Sequence, residues 1–302
     1  MVSKIKNIVS LFRYYSFNSK YFSNNNSSKN IILVELFNYK ASIISVSLFV
    51  NEFCKIYPSK IVGFEPLNFN FKRKVKKLLN IFNPLHHYKL YKSFGVSEYI
   101  FPSFCKKKER EIYLKKIINN ISSKNKILDI KIKGVKFGDL IYDSYLRDNN
   151  LPTIDFKSKH FQKYLSKSID LFLYWDDFFD KNNVNGIVIS HSVYLTALPG
   201  RIALNRNVRV YNIGATSCYK LSKDKPLRWS NFDSYPKIFK TLDKKYQKKA
   251  ITKAKKHLNE RFSGRKDILY QMSDDIEHAF GEKKNSSTKL FKTNKKKILI
   301  AA

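Results

Sequence analysis

Between residues 31 and 64 the chain passes from an apolar run, Ile31–Leu36, to helically spaced apolar residues (Ile44, Leu48, Phe49, Phe53, Ile56) and then to a second apolar run, Lys60–Phe64. Apolar side chains recur about every 3.6 residues on a helix, whereas a short continuous apolar run bounded by turn residues reads as a buried strand. Strand, helix and strand within about 35 residues make one βαβ unit, which requires a parallel sheet. A parallel sheet must be covered on both faces, so more helices are needed.

The rest of the chain supplies them. The spacing predicts helices at Phe71–Phe82, Lys106–Ile121, Gly138–Arg147 and Lys157–Asp180, with another ending near Asn205. Strands are predicted at Glu98–Phe101, Ile127–Ile132, Gly186–Ser190 and Val208–Ile213. The fold class that follows is α/β, a Rossmann-like, doubly wound and mostly parallel sheet. Further on, Lys240–Phe262 reads as one long Lys-rich helix and Asp274–Phe280 as another, and no solenoid repeat appears. The domain reading is a basic amphipathic segment at 1–29, a Rossmann-like domain at 30–281 and a polar linker at 282–296. The apolar run 297–302 then opens a truncated second α/β domain, or pairs as a last strand of the first sheet.

Charge narrows function less than its size suggests. The chain carries 58 Lys and Arg against 24 Asp and Glu, a formal +34. Only ten of those cations are Arg, and Lys accompanies Asn, Ile, Phe and Tyr, all encoded by A/T-rich codons. Genome composition can therefore produce much of the excess, and without a recognisable binding motif nucleic acid is not expected as a partner. Cys54, Cys105 and Cys218 form no C-x-x-C pair and read as reduced, buried thiols. At the N-terminus Val2, Ile5, Ile8, Val9, Phe12 and Tyr15 follow helical spacing between Lys4, Lys6 and Arg13. Such a helix either docks on the domain or lies on an anionic membrane surface.

Several motifs carry chemistry in principle. Neither a dinucleotide glycine pattern nor a G-x-x-x-x-G-K-[ST] loop occurs. Asp176-Asp177-Phe178-Phe179-Asp180 is a literal D-D-x-x-D, but it stands alone in an α/β context and reads as a solvated helix end; no metal is expected. Gly134–Arg147 offers two glycines before a helix, where backbone can approach an anion. Asp139, Asp143 and Arg147 then share one helical face beside Tyr142 and Tyr145. The structural alternative is Asp139 in the first turn and an Asp143–Arg147 ion pair. His191, between Ser190 and Ser192, follows the strand GIVIS and stands at its carboxyl end, the edge where doubly wound sheets bind ligands. Glu35 ends the first strand on the same edge, with Asn38 and Lys40 in the loop beyond. His86-His87 reads as surface.

Two stretches, KFGDLIYDSYLR followed by Pro152-Thr153-Ile154, and ISHSVYLTALPGRIALNRNVRVYNIG, resemble the bacterial capsule and surface-polysaccharide biosynthesis proteins related to GT-B glycosyltransferases. Arg261-Phe262-Ser263-Gly264 is similar to a turn that such proteins carry before their second domain. The resemblance implies an enzyme at the cytoplasmic face of the membrane whose Rossmann-like half holds a glycan or lipid-linked acceptor. A nucleotide sugar would be the donor, with no tightly bound cofactor. It makes His191 the candidate base and Asp139 the alternative. Glu35, Asn38, Lys40, Asp143, Arg147, Ser190, Ser192, Tyr194 and Arg201 would bind or position substrate. A non-catalytic basic module for anionic polymer or membrane, or a polyol-phosphate transferase, remains the alternative.

Overall fold

A computed structural model describes residues 2–22, 28–37, 39–67, 75, 79–81, 83, 86, 88–103, 107–228 and 234–262. The chain divides into two compact units, 1–231 and 232–302.

In the first unit, β1 (Ile31–Glu35), β2 (Lys60–Phe64), β3 (Val96–Ile100), β6 (Val184–Ile189), β7 (Arg209–Ile213) and β8 (Cys218–Leu221) form one sheet in the order β3-β2-β1-β6-β7-β8. All neighbours are parallel except β7 and β8. The chain builds outward from β1 in one direction, returns, and continues from β6 in the other. The direction of winding therefore reverses between β1 and β6, and the loops leaving their carboxyl ends diverge to leave a crevice.

The alternation of side chains along β1 separates two cores. Ile32 and Val34 face α2 (Lys40–Ile56) and α3 (Tyr88–Ser93), packing with Val46, Val50, Phe53 and Tyr91. Ile31 and Leu33 face α6 (Gly138–Asn149), α7 (Lys159–Lys181) and α8 (Leu198–Asn205). Trp175 of α7 is fully buried in this second core, edge-on to Phe64 at 5.2 Å, and its indole N–H donates to the carbonyl of Pro66 at 3.1 Å. A side chain so placed contributes about 1.5–3 kcal/mol from burial alone.

The pairing of β1 with β6 contains a bulge. Ile31 opposes Val184 but Ile32 opposes Gly186, so Asn185 is an extra residue in β6. Its amide donates to Ser59 Oγ at 2.9 Å.

Some expectations change. Ile127–Ile132 is not one strand: α5 (Lys124–Leu128) is capped by Ser123, and only Lys131–Ile132 (β4) extends, pairing with β5 (Val135–Lys136). The hydroxyl of Ser123 accepts the Lys126 N–H, a local bond that outweighs the alternating pattern. Lys133 and Gly134, both at positive φ, form the two-residue turn between β4 and β5. At Gly138 a Cβ would lie 1.9 Å from the Ile127 carbonyl oxygen. Both glycines therefore serve this turn and this contact, where the sequence suggested a ligand's approach. Cys54 is half-buried and Cys218 exposed; Cys105 lies outside the described residues.

The N-terminal helix α1 (Val2–Tyr21) bonds to its own domain. Tyr14 Oη shares a hydrogen bond of 2.8 Å with Ser47, and Asn18 Nδ2 donates to Ser93 Oγ at 3.0 Å. Helix α4 (Lys107–Asn120) packs against α7. Within the second unit the long Lys-rich helix starts at Lys244, four residues later than expected. Extended backbone at Leu242 separates α9 (Tyr235–Thr241) from α10 (Lys244–Phe262). The helix expected at Phe71–Phe82 lies largely outside the described residues, and the expectations for 263–302 lie wholly outside them. Among the described residues no helix is long and apolar enough to cross a membrane.

Candidate functional site

The carboxyl ends of β1 and β6 bring together residues far apart in sequence. Glu35, the last residue of β1, is only 4% exposed. Its Oε2 accepts the Ser190 N–H at 2.5 Å and its Oε1 accepts the Ser190 hydroxyl at 2.7 Å. Ser190 Oγ lies 2.7 Å from His191 Nδ1. Because the hydroxyl hydrogen is committed to Glu35, the bond to the ring requires a hydrogen on Nδ1, which leaves Nε2 with its lone pair. Glu35, Ser190 and His191 thus form a relay that orients a neutral imidazole outward from the sheet edge. The buried Asn212 of β7 supports this edge, donating from Nδ2 to the Ile189 carbonyl at 3.2 Å.

Two guanidinium groups act on the same imidazole. Part of the His191 ring faces solvent, yet the protein around it displaces enough water to disfavour the charged form. That burial, followed by the positive charges of Arg147 and Arg228, holds its pKa below the ordinary histidine value. Arg147 extends from the last turn of α6, lies over the Tyr194 ring at 4.0 Å and pairs with Asp148 at 3.0 Å. Arg228 follows β8; its backbone N–H donates to Ser192 Oγ and its Nη2 to Ser217 Oγ, each at 3.0 Å.

Tyr194 itself is strained. With φ 63° and ψ 171° it occupies a region that a residue with a Cβ rarely enters, at a cost of about 1–3 kcal/mol. The following Leu195 N–H is held by Ser144 Oγ of α6 at 2.7 Å, which pins the loop on the helix that carries Arg147.

No protein family, curated protein or solved structure matches this chain.

Of the residues singled out in the sequence, Glu35, Arg147, Ser190, His191, Ser192 and Tyr194 converge on this edge. Asp139 and Arg201 find each other instead, at 2.8 Å. Arg201, in the middle of α8, also reaches the Lys136 carbonyl at 3.4 Å. Asp143 is exposed, and Arg147 turns away from it toward Asp148 and Tyr194, so the expected i, i+4 ion pair does not form. Partial burial and then the charge of Asp139 raise the Asp143 pKa above the ordinary carboxylate value. Lys40 opens α2, but its side chain, like the whole of Asn38, lies outside the described residues.

No motif or spacing pointed to Arg228, one of ten arginines in a strongly cationic chain. Glu65 and the two tyrosines of α3 were also missed. Glu65 follows β2 as Glu35 ends β1, a legible parallel; it is buried and accepts the Tyr88 hydroxyl at 2.5 Å. Tyr91 accepts the Phe37 N–H at 2.9 Å and donates to the Phe37 carbonyl at 3.1 Å, fixing the backbone where the chain leaves β1. Burial is the main reason that both phenols titrate far above their ordinary range.

The D-D-x-x-D motif has a structural partner for every carboxylate. Asp176 pairs with Lys133 at 2.7 Å and with Arg206, Asp180 pairs with Arg206 at 2.5 Å, and Asp177 pairs with Lys181 at 2.7 Å. Among the described residues no three His, Cys, Asp or Glu side chains gather as a metal-ion site.

Proposed function

We propose that this domain is the acceptor side of a glycosyltransferase-like enzyme of bacterial surface polysaccharide assembly. It would act at the cytoplasmic face of the membrane on a glycan or lipid-linked acceptor. The observation that carries the reading is the relay from buried Glu35 through Ser190 to His191 at the point where the sheet reverses its winding. Crevices at such points are where doubly wound folds bind ligands. The quoted sequence stretches supply the resemblance to the enzyme class, and one of them, residues 189–214, runs from the end of β6 through the loop that carries His191 and Tyr194 to the next helix and strand.

The chemistry follows from the proton inventory. Nε2 of His191 accepts the hydrogen of an acceptor hydroxyl as that oxygen bonds to the anomeric carbon of the donor sugar. The bond from that carbon to the nucleotide diphosphate breaks, and the electron pair leaves with the diphosphate. Glu35 and Ser190 keep the imidazole in the tautomer that can take the proton. The depressed pKa keeps it unprotonated at neutral pH. Arg147 and Arg228 lie where negative charge on a substrate is favoured.

The test is sugar transfer measured with a panel of nucleotide sugars and acceptor glycans. His191→Ala should lower kcat about a hundred- to ten-thousandfold while leaving the fold intact. Unchanged transfer by that variant would remove the assignment of the base. The two guanidiniums beside the base also suit the transfer of a polyol phosphate, and analysis of the product formed from labelled donors separates the two transfers.

A further inference from the structure

A second site lies on a different part of the domain and shares no residue with the first. The carboxyl-terminal half of α4, helix α5 and strand β4 border a groove of about 500 Å³. That volume falls within the range of about 300–1,000 Å³ usual for small-molecule sites.

Its floor and rim differ in chemistry. Tyr113 and Ile117 share one face of α4, Ile121 follows just past its end, and all three pack on the core with Ile130 and Ile132 behind them. Lys116, Lys126 and Lys131 stand exposed on the rim, and none forms an ion pair with a described residue. The other two charged lining residues are compensated locally: Lys133 by Asp176 at 2.7 Å and Asp129 by Lys136 at 3.0 Å. The field of the rim registers on Asp129. Its carboxyl titrates below the ordinary range, first through the hydrogen bond from Lys136 and then through the charges of Lys136, Lys131 and Lys126.

We infer that this groove binds a single-chain anionic amphiphile, an alkyl or acyl chain lying on the isoleucine floor with a terminal phosphate among Lys116, Lys126 and Lys131. The two halves of the surface exclude simpler occupants. A bare phosphate leaves the apolar floor wet, and a neutral chain leaves three ammonium groups without a counter-charge.

Calorimetric titration of the protein with alkyl phosphates below their micelle concentrations tests the assignment. Decyl phosphate should bind saturably at one site, and affinity should rise about threefold per methylene from hexyl to decyl phosphate. Decyl maltoside, which has the same chain and a neutral head, and inorganic phosphate should each bind at least about tenfold more weakly. The triple variant Lys116→Glu, Lys126→Glu, Lys131→Glu should lose at least about tenfold in affinity for decyl phosphate. Its circular dichroism and Tm should stay unchanged, because all three side chains project from the surface. Equal binding of decyl maltoside, wild-type affinity in the triple variant, or no saturable binding of decyl phosphate would each overturn the assignment.

Discussion

The two edges of the sheet both bury a carboxylate near arginines, and they use it in opposite ways. At the amino edge, Asp176 near the end of α7 is almost fully buried and receives both Lys133 and Arg206, while Arg206 also holds Asp180. That network is closed on itself. At the carboxyl edge Glu35 is as deeply buried, yet it accepts two hydrogen bonds from Ser190 and through it aims an imidazole at solvent. Burial, and after it the charges of Arg147 and Arg228, lower the basicity of that imidazole. Where a buried acid meets cations directly the result is a clamp; where a neutral hydroxyl intervenes, the acid instead sets the tautomer of a group that can react.

Substitutions can break this contrast one edge at a time. The largest effect expected is kinetic: His191→Ala should cost its hundredfold or greater loss of kcat, about 3 kcal/mol or more of barrier. Chemical denaturation of the same variant should show little change, because the ring is not part of the core. Asp176→Asn should do the reverse. The buried amide then offers weaker hydrogen bonds to Lys133 and Arg206, which are part-exposed and keep Glu109 and Asp180, so unfolding should become easier by about 1–3 kcal/mol, measured by urea titration, with the kinetic constants of the surviving folded protein unchanged.

Glu35→Gln lies between the two. The amide turns a donor toward Ser190, whose hydroxyl then accepts there and redirects its own hydrogen to His191 Nδ1, so stability should fall by no more than about 1–3 kcal/mol. Because that reversal places the hydrogen of the imidazole on Nε2, where the base needs its lone pair, kcat should fall while KM holds. Equal loss in both constants would reduce Glu35 to a structural role.

Arg147→Ala gives the smallest effect, and it is read in pH. Deleting a positive charge beside His191 moves its pKa back up toward about 6.5, so the acidic limb of the kcat/KM profile should shift to higher pH. The sign for stability follows from the same shift. With the folded pKa depressed, the unfolded chain binds more protons just below pH 6.5, so stability is complete above that value and is lost on acidification. Melting curves from pH 5 to 7 should therefore be flatter for His191→Gln than for the wild type.

Periodicity made the sheet legible. The buried runs of β1, β2, β6 and β7, and the long apolar stripe of α7, stand at or within a few residues of their expected bounds. The pattern failed where local bonds compete with it. Ser123 starts a helix inside an alternating run, and extended backbone at Leu242 moves the start of the Lys-rich helix from Lys240 to Lys244. Strand β8 escaped because four residues with one buried side chain carry little signal. The site was half legible for a related reason. Residues at strand ends, Glu35 and Ser190 to Ser192, can be placed on an edge from topology alone. Arg228 reaches the same edge from beyond an antiparallel strand that went unseen, and Asp139 with Arg201 pair across two helices whose relative rotation no spacing rule gives.

The extra residue at Asn185 ties the two edges together. It sits at the amino edge, anchored to Ser59, and every later residue of β6 stands one place further back against β1 because of it. Through that offset Ile189 comes level with the end of β1, and Ser190 comes next, within reach of Glu35. Were Asn185 drawn into the regular pairing with Ile32 instead, the strand would advance by a single step, exchange its two faces, and carry His191 past the carboxylate that orients it. The bulge is a length gauge: one residue counted in at one end of the sheet decides which side chain arrives at the other.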